Sequence, residues 1–234
     1  GEYVGAVDTA KTNQEQLTEM MVGRPVSLEI ERPAVKKGEK RLHVIDLTCL
    51  NGDGVKALDS VSFDAYGGEI LGVAGIAGSG QKELCEIIAG LYPAIGGAVL
   101  YSGEHDGVPV QENLLGMKPD EISKKGISMA FVPEDRLGMG LVAGMDMTDN
   151  VMLRSYKSGK GPLVDRKAPR KLAEKMIDEL EIVTPGVDTP VGRLSGGNVQ
   201  KVLLGREIAC HPSVLVVAYP VRGLDNNSSY RIYD

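Results

Sequence analysis

The heptapeptide Leu194-Ser195-Gly196-Gly197-Asn198-Val199-Gln200 decides the fold of this chain. It leads into a stretch with helical spacing, Lys201 to Ala209. A serine is a favoured N-cap because its side-chain oxygen accepts a hydrogen bond from a free amide of the first turn. Two glycines let the backbone approach a ligand with no Cβ in the way. Since a helix N-terminus presents free amides and a positive dipole end, the heptapeptide predicts an anion site.

A second glycine-rich stretch lies earlier in the chain. Gly75-Ile76-Ala77-Gly78-Ser79-Gly80, called the glycine loop below, follows an apolar strand candidate at 69–74. It precedes a helix candidate at 81–89, which Gly90 ends. Strand, glycine loop and helix in this order are the setting in which backbone amides surround a phosphate. The stretch therefore predicts a phosphate-binding loop.

Hydrophobic periodicity and turn signals give the remaining elements. The Asn51–Gly54 turn predicts a hairpin of strands 42–50 and 55–63. Further strands are predicted at 26–30, 98–101, 126–132 and 214–218. Helices are predicted at 13–21, 117–125, 145–154 and 165–180, and the charged residues 31–40 indicate a linker.

Composition narrows the function class. The 234 residues suffice for one domain or one and a half, with 42% hydrophobic and 25% charged residues typical of a soluble protein. A formal net charge of −6 argues against a nucleic-acid partner. Three scattered cysteines and three scattered histidines give no metal spacing, so no metal ligands are assigned. No apolar run approaches the length of a membrane span.

Four elements in fixed order carry a family resemblance. They are the glycine loop, Pro133-Glu134-Asp135-Arg136, the heptapeptide, and the apolar strand 214–218 that leads to Arg222-Gly223-Leu224-Asp225. Together they resemble the nucleotide-binding domain of an ABC transporter, over roughly residues 41–225. The phrases at 131–136 and 194–209 are similar to the second, degenerate C-terminal ATP-binding domain of bacterial importers of simple sugars and nucleosides. Residues 19–24 look like the end of the first such domain.

The resemblance implies an α/β fold of the P-loop NTPase type. A RecA-like core would carry an antiparallel β subdomain and an inserted α-helical subdomain at about 136–191. Residues 1–38 would be the end of a preceding ATP-binding domain plus linker, and 39–234 the nucleotide-binding domain. That domain would be truncated, incomplete after 225, because the residues that follow do not match the family and no histidine comes after His211.

Site residues follow from the same resemblance. In the family two domains face each other head to tail, and each ATP lies between the P-loop of one and the signature motif of the other. The signature motif, acting on the partner's ATP, corresponds to Leu194, Ser195, Gly196, Gly197, Asn198 and Gln200, and the D-loop to Asp225. The nucleotide-binding loop corresponds to Gly75, Gly78, Ser79, Gly80, Gln81, Lys82 and Glu83.

The chain departs from the family at the positions that do chemistry. Gln81 stands where a P-loop has lysine, Lys82 comes one position late, and no hydroxyl remains for Mg²⁺. Ala218 and Tyr219 stand where the metal-binding aspartate and the catalytic glutamate belong, and Glu134 replaces the glutamine of the Q-loop. A tyrosine phenol, whose pKa is ordinarily about 10, is a poor general base. We therefore expect weak ATP binding, Mg²⁺ held weakly or by the partner site, and little hydrolysis by the isolated chain.

The resemblance also implies partners and a location. These are a first ATP-binding domain of the same polypeptide, forming a pseudo-dimer, and membrane permease subunits at the cytoplasmic face of the membrane. A non-catalytic regulatory or interaction domain, or an inactive fragment, remains an alternative. A dinucleotide-dependent oxidoreductase fits poorly because the glycine spacing is G-x-x-G-x-G. A DNA-repair relative would need long coiled-coil heptads, which the sequence lacks.

Overall fold

The computed structural model describes residues 3–22, 36–156, 164–221, 223–224 and 229. Four predictions lie outside these residues: the strand 26–30, most of the linker 31–40, the D-loop residue Asp225, and the tail after it apart from Ser229.

The elements follow the predicted order except at 69–74 and 108–113. The helices are α1 Gln14–Val22, α2 Gln81–Ile88, α3 Pro119–Lys124, α4 Met147–Met152, α5 Lys167–Glu179 and α6 Gly196–Ile208. The strands are β1 Lys40–Leu50, β2 Lys56–Tyr66, β3 Gly96–His105, β4 Val108–Asn113, β5 Met129–Val132 and β6 Val214–Val217. A π-helical segment, Arg136–Gly140, follows β5, and a 3₁₀ turn, Val191–Arg193, precedes α6.

An antiparallel sheet forms the first part of the fold, with strand order β2-β1-β3-β4. The predicted hairpin is confirmed, because β1 pairs with β2 and the Asn51 carboxamide oxygen accepts from the Val55 amide at 3.0 Å. Helix α2 joins this sheet in one hydrophobic core that includes Val44, Leu47 and Ile87. The sheet therefore holds the start of α2, where the glycine loop ends.

Strand β4 was not predicted. It pairs with β3 through a turn in which Asp106 and Gly107 have φ of 49° and 79°. An Asp-Gly pair between strands is the sequence signal for such a hairpin, because both residues must adopt positive φ. The strand was missed because Val108–Asn113 contains three polar residues in succession and so lacks a strand's apolar pattern.

A second hydrophobic core surrounds helix α6. Val202 and Leu203 of α6 are fully buried, and they pack in a cluster with residues of α4 and α5 and with Val132 of β5. Strands β5 and β6 pair in parallel, with Val132 opposite Val217. Because parallel strands end at the same edge of a sheet, residues 133–136 and 218–221 leave the sheet side by side.

The predicted strand 69–74 is wrong. Residues 69–76 form no regular structure, and the side chains of Ile70 and Ile76 are 98% and 82% exposed. An apolar run becomes a strand only where a neighbouring strand pairs with its backbone groups. In the described residues, β5 and β6 pair with each other and no strand pairs with 69–76.

No helix in the part of the chain that the structure describes has both the length and the apolar character to cross a bilayer.

Gly80 offers a test of how the glycine loop is seated. Its φ is 89°, and an added Cβ would overlap the carbonyl oxygen of Ala57 and lie 2.8 Å from the Leu58 side chain. Gly78 has a similar φ of 83° with no atom near an added Cβ. We expect Gly80→Ala to lower the free energy of unfolding by roughly 3 kcal/mol, from positive φ and overlap together. Gly78→Ala, the matched control, should cost only about 1 kcal/mol.

Urea unfolding of both variants measures this difference. Equal losses would mean that β2 does not contact Gly80 as the structure has it.

Candidate functional site

The N-terminus of helix α6 has the geometry that the heptapeptide predicts. Ser195 is the N-cap, with extended backbone, and its hydroxyl oxygen accepts from the Asn198 amide at 3.4 Å. Ser195 and Gly196 are exposed, and Gly197 is half-buried. The first turn of α6 thus presents its amide end and one hydroxyl to the surface, an arrangement that suits an anion.

Asn198 is tied to the loop after α5. Its side-chain oxygen accepts from the Val183 amide at 3.1 Å, and its side-chain nitrogen donates to the Val183 carbonyl at 3.1 Å. The same nitrogen donates to the Ser195 hydroxyl oxygen at 3.0 Å. Asn198 therefore joins the cap of α6 to the helical part of the molecule.

Gln200 and Lys201 point into the protein. Gln200 is 1% exposed, and its carboxamide donates to the Pro220 carbonyl at 2.9 Å, in the turn after β6. Lys201 is 6% exposed, and its ammonium donates to the Glu181 carbonyl at 3.1 Å. Both side chains hold loops of this same chain against α6. Of the predicted signature residues, the exposed ones are Ser195 and Gly196.

The segment after β5 lies along helix α6 and is bonded to it at both ends. Arg136 donates to the Gly196 carbonyl at 2.8 Å, and Arg206 donates to the Gly140 carbonyl at 2.7 Å. Between this segment and the start of α6 is a hollow of about 360 Å³. It is lined by Glu134, Asp135, Arg136, Leu137, Leu194, Gly196 and Val199.

A buried ion pair stabilises the other end of α6. The Arg206 guanidinium contacts the Glu207 carboxylate at 2.8 Å, and the two residues are 6% and 2% exposed. Arg154 approaches the second oxygen of Glu207 at 3.4 Å and donates to the Met129 carbonyl at 3.0 Å. Burial lowers the pKa of Arg206, and the Glu207 carboxylate opposes that effect. Through Arg154, this ion pair connects α6 to the end of α4 and to the start of β5.

The glycine loop differs from a working P-loop in its side chains. Helix α2 begins after Gly80 with no side-chain cap, so its first turn is open toward the loop. The Gln81 carboxamide lies against Gly75, where any Cβ would collide with its nitrogen. Lys82 is turned along α2 toward Glu86, at 4.0 Å, and its side chain is 66% exposed. A neutral amide thus lies over the loop, and the lysine charge faces away from it.

The end of β6 offers no metal ligand at the predicted positions. The Ala218 amide donates to the Val132 carbonyl at 2.8 Å, and the 50% exposed Tyr219 follows with a φ of 51°. Ser79, which lies within the glycine loop, donates its hydroxyl hydrogen to the Ile76 carbonyl at 2.6 Å. Within the described residues, no group of three His, Cys, Asp or Glu side chains could hold a metal. Positions 218 and 219 therefore offer no carboxylate to a metal.

The two predicted phosphate sites are separate. The glycine loop is seated on the antiparallel sheet, whereas the heptapeptide belongs to the second core. Across the described residues, no hydrogen bond or ion pair joins 75–83 to 194–200. The nucleotide-binding and signature assignments stay predictions.

Sequence reasoning missed the roles of Arg136 and Arg206. Both lie in phrases that the resemblance used, but only their charge is visible in the sequence. A buried arginine next to a glutamate on a helix, as in Arg206-Glu207, is an available signal because such charges are buried only when paired. The bond from Arg136 to Gly196 spans sixty residues and has no local signal.

The comparisons with known proteins agree with one family. The family model described as ABC transporter matches residues 58–220. The chain is 37% identical over 235 residues to the ribose import ATP-binding protein RbsA of Yersinia pestis, covering 100% of the chain and 43% of that protein. It is 34% identical to the guanosine import ATP-binding protein NupO of Bacillus subtilis, covering 96% and 43%. The chain spans less than half the length of these curated relatives.

A solved structure shows the same fold. It is the dimeric, post-hydrolysis state of the ATP-binding cassette MJ0796 bound to ADP and Pi. The match has a TM-score of 0.65 and 22% identity, and covers 82% of this chain and 79% of that one. The predicted α/β P-loop NTPase fold, with its antiparallel sheet, is therefore confirmed.

The buried pair gives a stability prediction. Glu207→Gln removes one charge and leaves Arg206 buried with no counter-charge at 2.8 Å. We expect the free energy of unfolding to fall by about 3 kcal/mol, measured by urea denaturation. Glu179→Gln is the matched control, since Glu179 pairs with Lys175 at 3.5 Å on the exposed surface of α5. That change should cost less than about 0.5 kcal/mol, and a similar cost for both would contradict the arrangement around α6.

Proposed function

The chain belongs to the ABC transporter family of ATP-binding proteins, and on that basis we propose that it is the second ATP-binding domain of an importer of simple sugars or nucleosides. It supplies its signature motif to the ATP site of a partner domain, while its own site is catalytically degenerate. The substrate class is taken from the relatives whose names give ribose, guanosine and glucose import.

The exposed N-terminus of α6 carries the proposal. Ser195 and the glycines after it form a capped, open helix end of the kind that binds phosphate oxygens. Gly197 has a helical backbone, which does not itself require glycine. A Cβ added there would lie 3.4 Å from the Leu224 side chain, so the missing Cβ leaves open space at the start of α6. In the proposed arrangement Ser195, Gly196 and Gly197 face the γ-phosphate, and all three match the family's signature motif.

The degenerate half of the proposal rests on the glycine loop and the end of β6. A P-loop needs a lysine for the phosphates, and here the Gln81 amide lies over the loop. Ala218 has no metal-binding group, and Tyr219 stands where the family has its catalytic glutamate. Losing a general base typically costs about 10²–10⁴ in rate. ATP binds weakly at this site, and hydrolysis takes place mainly at the site whose P-loop belongs to the partner.

The partner domain and the permease complete the proposed assembly. The first ATP-binding domain of the same polypeptide forms a pseudo-dimer with this one, as two cassettes do in the dimeric structure above. The helical part, about 136–191, docks on membrane permease subunits, and the assembly lies at the cytoplasmic face of the membrane. No nucleic acid takes part. The competing function is a non-catalytic interaction domain, which the altered residues at 81, 218 and 219 would suit equally.

Mixing the domains distinguishes these functions. We expect little ATP hydrolysis by this chain alone, and turnover mainly when it is combined with a separately produced first domain. Gly197→Asp should then lower the turnover of the mixture at least about 100-fold, because its carboxylate would face the γ-phosphate. Gly197→Ala, which adds a Cβ without charge, should keep turnover within about 10-fold of the unsubstituted mixture.

A phosphate-release assay measures both effects. A folded mixture with no added turnover, or with Gly197→Asp as active as Gly197→Ala, would favour the interaction domain.

The degenerate site can be tested by restoring its side chains. The combined change Gln81→Lys, Ala218→Asp and Tyr219→Glu should tighten ATP binding about 10-fold or more, because a lysine and a metal ligand return to the phosphates. Lys82→Ala is the control, since Lys82 faces Glu86 and should alter ATP affinity less than about 3-fold. Calorimetry with Mg²⁺ and ATP gives both affinities, and an unchanged affinity in the triple variant would argue against this account of the site.

A further inference from the structure

The Ser195 hydroxyl is bonded to two groups of Asn198. A serine hydroxyl has one hydrogen to donate and two lone pairs that accept. Both bonds at the Ser195 oxygen are accepted, one from the Asn198 amide at 3.4 Å and one from the Asn198 side-chain nitrogen at 3.0 Å. Among the described residues, none accepts a hydrogen bond from this hydroxyl. Its hydrogen is therefore left for a group outside the chain.

The Asn198 carboxamide cannot exchange its oxygen and nitrogen. Val183 offers an N–H to one end of the carboxamide and a carbonyl to the other, both at 3.1 Å. Rotating the carboxamide by half a turn would place nitrogen against N–H and oxygen against carbonyl, which loses both bonds. The nitrogen must therefore face Ser195. Its two hydrogens are divided between the Val183 carbonyl and the Ser195 oxygen.

We propose that Asn198 is a positioning residue that makes the Ser195 hydroxyl a hydrogen-bond donor toward a phosphate oxygen. By filling the acceptor side of the hydroxyl, Asn198 leaves the exposed direction to its hydrogen. A phosphate oxygen only accepts, so it can bond this hydroxyl only through that hydrogen. This inference rests on the proposed function, in which Ser195 meets the γ-phosphate of the partner's ATP.

The Asn198 side chain is bonded to main-chain groups of Val183 and not to its side chain. The Val183 side chain is 78% exposed, while its amide and carbonyl form the pair with Asn198. Val183 follows the end of α5, in the part of the chain that the family places in the helical insert. A shift of this loop relative to α6 would release the carboxamide and allow the hydroxyl to rotate.

A double-mutant cycle on turnover tests the proposal. The variants Ser195→Ala, Asn198→Ala and the double change are assayed in the two-domain protein at saturating ATP. We expect Ser195→Ala to lower kcat about 10-fold or more, and Asn198→Ala about 5-fold. In the Ser195→Ala background, Asn198→Ala should change kcat less than about 2-fold, because the hydroxyl through which it acts is gone. The KM for ATP should change little, since the partner's P-loop holds most of the nucleotide.

Three further variants complete the test. Val183→Ala keeps the backbone pair and should leave kcat unchanged, and Ser195→Thr keeps a hydroxyl and should retain most of the turnover. Asn198→Leu keeps the approximate size of the side chain without adding charge and removes both groups of the carboxamide. The cycle with Asn198→Leu should show the same dependence on Ser195, so the test survives if Asn198→Ala fails to fold.

The outcomes separate the two proposals. If Ser195→Ala leaves kcat unchanged, the proposed role of the signature motif in the partner's site fails. If Ser195→Ala lowers kcat, but the Asn198 variants lower it equally in both backgrounds, the proposed function stands and the positioning role of Asn198 is overturned.

Discussion

Helix α6 can lie inside this protein only because its polar side chains are bonded there. Gln200, Lys201, Arg206 and Glu207 are each at most 6% exposed. Burying such groups without partners would cost several kcal/mol each. Main-chain carbonyls satisfy three of them, at Pro220, Glu181 and Gly140, and the ion pair satisfies Glu207. The loops that supply these carbonyls are thereby fixed to the helix.

This constraint explains how the candidate site at the start of α6 is assembled. The turn after β6, the loop after α5 and the π-helical segment after β5 all bond to α6, two of them within its first two turns. Arg136 and Asn198 add bonds at the start of the helix, to the Gly196 carbonyl and to Ser195. The exposed cap thus rests on three segments distant in sequence. Each of these segments therefore helps to fix the position of α6 and its N-terminus.

Local signals in the sequence predicted most of the elements. The Asn51–Gly54 turn gave the first hairpin and Ser195 gave the start of α6, because turn and cap preferences act within four residues. Features that depend on residues distant in the sequence, such as strand pairing and burial, could not be predicted in the same way. The run 69–74 has a strand's composition, yet pairing depends on a neighbouring strand. Gln200 has the polarity of a contact residue, and its burial against Pro220 is decided by tertiary packing.

The two glycine-rich helix starts show which features of an anion site depend on side chains. Both α2 and α6 begin after a glycine or a serine, and each helix start carries the positive end of a helix dipole. At α6 a hydroxyl and its positioning amide remain, whereas at α2 a neutral Gln81 replaces the lysine and Lys82 faces Glu86. A backbone cradle alone attracts a phosphate weakly, because charge-assisted bonds are roughly twice as strong as neutral ones. The two helix starts therefore differ in their side chains: α6 keeps a serine cap, whereas α2 has no side-chain cap and begins with a neutral residue.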